Sequence, residues 1–155
     1  MKYILFCIAF LLSVPFTCNR QEPEAGVSDS ETKITAGYVC GWGSGEDSLV
    51  ITSGKVSYRF FVPASSSKPS VTVSRPLTAA EQEEIRNAVD FPTFSQLEYN
   101  SCNVCVDGCD EWIIIKYLRS THEIRYSKGQ QINSISQLQS ILLNFRKEFN
   151  SPGWK

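Results

Sequence analysis

The sharpest chemical motif in this chain is Cys102-Asn-Val-Cys105-Val-Asp-Gly-Cys109-Asp-Glu-Trp112, with a fourth domain cysteine, Cys40, far upstream. Three chemistries suit it. As a metal centre, the C-x-x-C pair supplies two thiolates at a familiar spacing, and Cys109 and Cys40 would complete a tetrahedral set. As a redox centre, Cys102 and Cys105 would exchange electrons through a thiolate, which a helix N-terminus favours by lowering the thiol pKa. Here Asp107-Gly108 reads as a turn, and Asp110 and Glu111 work against a thiolate. As a structural device, Cys40, Cys102, Cys105 and Cys109 would form disulfides, each contributing about 2–4 kcal/mol. Four cysteines allow three pairings, and spacing does not choose among them.

Other reactive residues resolve into ordinary roles. His122, the only histidine, falls in an alternating apolar-polar stretch and reads as a strand residue. A Cys–His dyad is the competing reading. Asp107, Asp110 and Glu111 do not match the D-x-D-x-D-G spacing of a calcium loop. Gly41-Trp-Gly-Ser-Gly45 lacks the lysine and following helix of a phosphate cradle. Trp42 and Trp154 are core aromatics or lie on a ligand-binding face. No Gly-x-Ser-x-Gly, H-E-x-x-H or paired catalytic carboxylates occur, so no catalytic residue, cofactor or enzyme class is assigned.

The elements that must position the cysteines read as α+β. Leu49–Thr52 and Lys55–Val62 flank Ser53-Gly54, a hairpin pattern of β-branched and aromatic residues around a turn pair. Ser70–Ser74 alternates as a third short strand after a Pro63–Pro69 loop. Thr78 and Glu81 form a capping box that starts a helix, with Ile85 and Val89 on one face and Pro92 as its stop. Phe91, Phe94 and Leu97 follow as core plugs. Glu111–Tyr117 is the strongest strand, apolar on both faces and so expected in the sheet's centre, with His122–Tyr126 as its hairpin partner. A last helix is expected from Ser134, capped by Gln137, with Ile135, Leu138, Leu142, Phe145 and Phe149 as its apolar stripe. The predicted fold is a small, mostly antiparallel sheet with about two helices packed on one face.

The N-terminus carries different information. Lys2 precedes an apolar run, Tyr3 to Phe16, which ends at Pro15-Phe16-Thr17-Cys18 and an abrupt change to polar sequence. That is an export-signal pattern. Fourteen helical residues reach roughly 21 Å, short of the ~30 Å hydrocarbon core, so a spanning helix fits poorly. A soluble secreted product would need a small-residue cleavage site, which Ser13-Val14-Pro15 and Pro15-Phe16-Thr17 supply badly. The segment resembles the lipobox of bacterial lipoproteins. That resemblance implies removal of residues 1–17, acylation of Cys18, and anchoring to membrane lipid in the cell envelope, at the outer membrane or cell surface rather than the inner membrane. It covers residues 1–32 only, with Pro15 and Thr17 standing where the family favours Leu and a small residue. The remaining architecture is similar in style to small, uncharacterised envelope lipoprotein domains.

Cysteine arithmetic fits that resemblance. Of six cysteines, Cys7 leaves with the signal and Cys18 takes the lipid, so four remain, an even number for an oxidising compartment. Residues 18–32 hold a single aliphatic side chain larger than alanine and read as a flexible tether. Residues 33–155 form one domain. Losing Lys2 from 15 basic residues, against 16 acidic ones, brings the formal charge from −1 to about −2. No basic stripe of the kind nucleic-acid binding requires is present. A protein or ligand partner is not legible.

Overall fold

The computed structural model describes residues 32–41, 45–61 and 70–150. The signal segment, Cys18, nearly all of the tether, Trp42, the Pro63–Pro69 loop and Trp154 lie outside the described residues. Six strands form one antiparallel sheet in the order β4-β3-β2-β1-β5-β6. They are β1 Lys33–Cys40, β2 Glu46–Thr52, β3 Lys55–Phe61, β4 Val71–Pro76, β5 Cys109–Tyr117 and β6 Ser120–Ser127. The helices are α1 Ala79–Ala88, the one-turn α2 Phe91–Phe94, and α3 Ser136–Phe149. The first four strands run as a meander. The chain then crosses from β4 through α1 and α2 to lay β5 on the far side of β1. The α+β reading holds.

Strand periodicity decides which face is covered. Ile34, Ala36, Leu49, Ile51, Val56, Tyr58, Ile113, Ile115, Ile124 and Tyr126 occupy alternate positions, and the register puts them side by side on one face. All are buried, in one cluster with Leu77, Ile85, Phe94, Leu138, Ile141, Leu142, Phe145 and Phe149 from the crossover and helices. The opposite parity carries Thr35, Ser48, Ser57, Trp112 and Ile114, none fully buried. β5 is therefore interior to the sheet but not dry on both faces, and it lies next to the edge strand β6 rather than at the centre.

The start of α1 behaves as read, but its stop is not Pro92. Thr78 Oγ1 accepts from the Glu81 amide while the Glu81 carboxylate accepts from the Thr78 amide, a complete capping box. The helix stops at Ala88, and Pro92 serves the first turn of α2, capped by Asp90. The last helix differs. A 3-10 turn at Asn133–Ile135 precedes α3, which starts at Ser136 without a side-chain cap. Burying Ile132 and Ile135 tightens the entry. Gln139 instead receives the Ile132 amide and donates to the Gln130 carbonyl.

Candidate functional site

The sheet register brings the outer cysteines together. Cys40 ends β1 and Cys109 begins β5, directly opposite each other. Their hydrogen-bonding groups point outward, Cys40 N–H to the Gly45 carbonyl and the Cys109 carbonyl to the Lys128 amide. Facing residues that do not bond to each other approach most closely in an antiparallel pair. The Cα atoms are 4.1 Å apart and the side chains form a disulfide. Gly41 N–H then donates to the Gly108 carbonyl, continuing the contact past the strand ends.

Cys102 and Cys105 form the second disulfide, across a 3-10 turn at Asn103–Val106, with Cα atoms 5.3 Å apart. Both are exposed, whereas Cys40 is buried. The turn is built on Asp110, which is wholly buried. One carboxylate oxygen accepts from Ser101 Oγ at 2.7 Å and from the amide and side chain of Asn103, and the other accepts from the Val104 amide. Burial alone would raise the Asp110 pKa. The hydrogen bonds from Ser101, Val104 and Asn103 outweigh it and hold the group below the usual carboxylate range. Arg125 adds a cation 3.7 Å away. Asp107 closes the turn in the left-handed region, φ 66°, its amide bonded to the Asn103 carbonyl. With all four sulfurs in disulfides no thiolate is free to hold a metal. Among the described residues no group of three or more His, Cys, Asp or Glu is placed to bind one.

His122 stands apart from this loop. One ring nitrogen, Nε2, lies 2.9 Å from the Leu97 carbonyl, and the ring meets Phe94 edge-on at 5.5 Å. Glu111 likewise takes a structural role, accepting from Arg146 Nη1 at 3.2 Å. Arg146 also lies 3.4 Å from Asp47. Asp47 is buried and accepts from the Tyr38 amide and the Tyr58 hydroxyl, which in turn accepts from Asn150. Burial pushes the Asp47 carboxyl up, and the Arg146 charge opposes that shift. This network ties the end of α3 to β1, β2, β3 and β5. Sequence reasoning missed it, because one acid in an alternating strand looks like any solvent-facing residue.

Two further surfaces were not legible. On the helix-free face Trp112 lies over Gly37, where a Cβ would meet the indole ring at 2.5 Å and collide with the Asp47 carbonyl. At the other end of β1 a cavity of about 350 Å³ opens between the sheet and the first two helices. Its apolar walls include Ile51, Leu77, Ile85, Val89 and Phe91, with Thr32, Gln82 and Arg86 at its edge. Phe91 stacks on Tyr117 beside it. Six residue steps along β1 take Ile34 in that cavity to Cys40, roughly 20 Å. The cysteine loop and the cavity are thus separate features at opposite ends of the sheet.

Among the described residues no helix is long and apolar enough to cross a membrane. No protein-family model matches the chain, and no curated protein is significantly similar to it in sequence.

Proposed function

We propose that this chain is a bacterial lipoprotein, anchored through acylated Cys18, whose disulfide-stapled domain works as a binding module at the cell envelope. The cysteine pairing carries the reading. Cys40–Cys109 and Cys102–Cys105 use all four domain cysteines, so neither competes for Cys18 in a mature chain that begins there. The preformed apolar cavity supports the binding role, since small-molecule sites are concave, mostly apolar and edged by a few polar groups. Intact mass of the protein made in a bacterial host, with and without Cys18→Ser, tests the anchor. Wild type should carry acyl mass on an N-terminal Cys18 and fractionate with membranes, and the variant should do neither. A variant processed and membrane-bound like wild type overturns the reading.

A second reading, a thiol–disulfide exchange protein, is favoured by one observation: the Cys102–Cys105 disulfide is exposed and closes a very short loop. Equilibration with glutathione buffers tests it. Reduction of Cys102–Cys105 at the poise of an oxidising compartment supports exchange, and survival of the bond under strongly reducing buffer removes it.

A further inference from the structure

The end of the sheet where the described chain begins is chemically unlike the rest. Lys33 and Lys116 are directly opposite each other on β1 and β5, an arrangement that like charges disfavour. Lys55, facing Thr52 on the neighbouring strands, extends the same row on the helix-free face. At about 4.8 Å per strand the three lysines lie within roughly 15 Å. All three are exposed, as is Arg119 in the adjoining β5–β6 turn. None of the four is in an ion pair among the described residues. Among the described residues the acids nearby are Glu123, one row inward on β6, Asp90, spent on capping α2, and Glu83, paired with Arg86.

The turn itself gives an independent indication. Leu118 sits at φ 53°, in the left-handed region that suits glycine and strains a leucine. It is nonetheless 37 % exposed, beside Tyr117 at 39 %. A strained, outward-facing leucine and an aromatic next to unpaired cations is the composition of a membrane-interface surface. The chain outside the structure points the same way, because residues 1–31 lead into Thr32 at this end. From Cys18 to Thr32 the tether spans at most about 50 Å.

We propose that this end of the domain, through Lys33, Lys55, Lys116 and Arg119 with Tyr117 and Leu118, docks on the surface of an anionic phospholipid bilayer. It rests on the anchored reading only for the tether that keeps the domain close. Docking at this end holds the cysteine loop, at the opposite end of β1 and β5, away from the lipid, with the cavity mouth near it. Each lysine at an anionic surface contributes about fivefold to the docked-over-free ratio, so removing three lowers it by about 100-fold.

The test uses the full chain as the cell processes it, placed with vesicles of phosphatidylglycerol and phosphatidylcholine or of phosphatidylcholine alone. Lysine acylation rates are read by peptide mass spectrometry. Lys33, Lys55 and Lys116 should be protected relative to Lys128 and Lys147 on the anionic vesicles only, and raised salt should release them. Lys33→Gln/Lys55→Gln/Lys116→Gln should expose Arg119 to guanidine-directed labelling on the same vesicles. Equal rates on both vesicle types, or protection that needs no vesicle, overturn the proposal. Intact mass of the same preparation reports Cys18 acylation separately, so failure of the anchor and failure of docking are distinguishable.

Discussion

The two disulfides should be worth very different amounts, and the difference follows from the loops they close. Cys40 and Cys109 are 69 residues apart in sequence, Cys102 and Cys105 only 3. Loop-closure entropy then gives about 4.4 kcal/mol for the first bond and about 2 kcal/mol for the second. Burial widens the gap, because Cys40 is 8 % exposed and its removal also vacates packed space, while Cys102 and Cys105 are exposed. Cys40→Ala/Cys109→Ala should therefore lose at least about 2 kcal/mol more stability than Cys102→Ala/Cys105→Ala. In urea unfolding without reductant, that separates the two midpoints by roughly 1 M or more at the slope of a small domain. Coincident midpoints, or a larger loss for the short-loop pair, would refute both the loop arithmetic and the assignment of Cys40–Cys109 as the staple.

Three other outcomes are expected. Asp47→Ala should cost about 3–5 kcal/mol in urea unfolding, since it removes the buried partner of Arg146 and Tyr58, while Asp47→Asn, which keeps an acceptor for the Tyr38 amide, should cost less. Arg75 hydrogen-bonds Glu81 and holds its carboxyl down at about 2 from 4.5, so this contribution to stability is full above the unfolded value and is lost as pH falls towards about 2; Glu81→Gln should flatten the stability profile across that window, and an unchanged slope would contradict the pairing. Gly37→Ala should lower the unfolding midpoint by the equivalent of about 1–3 kcal/mol and shift the Trp112 fluorescence, because the added methyl meets the indole ring and the Asp47 carbonyl.

Local chemistry was readable wherever a side chain answers to near neighbours. Thr78 and Glu81 are three residues apart, and their capping box forms as expected. The Ser53-Gly54 hairpin and the stripe from Ile135 to Phe149 likewise depend on turn preference and periodicity. Ser134 and Gln137 have the same local pattern as Thr78 and Glu81, yet the cap is absent, because burial of Ile132 and Ile135 winds the entry into a 3-10 turn. Asp110 shows the same limit at the cysteine loop. Its sequence neighbours suggested an acid that opposes a thiolate, whereas Ser101, Asn103 and Val104 fold around it as the loop's internal anchor.

The sequence by itself determined the fold class, the Ser53-Gly54 hairpin and the apolar stripe of the last helix, because periodicity and turn chemistry act over a few residues. Only the tertiary structure decided the pairing. β5 leaves the order of the meander and docks beside β1, and that one placement brings Cys40 opposite Cys109, sets Lys33 against Lys116, and rests Trp112 on Gly37. Such contacts depend on which strand lies next to which, over separations where no residue spacing carries the information.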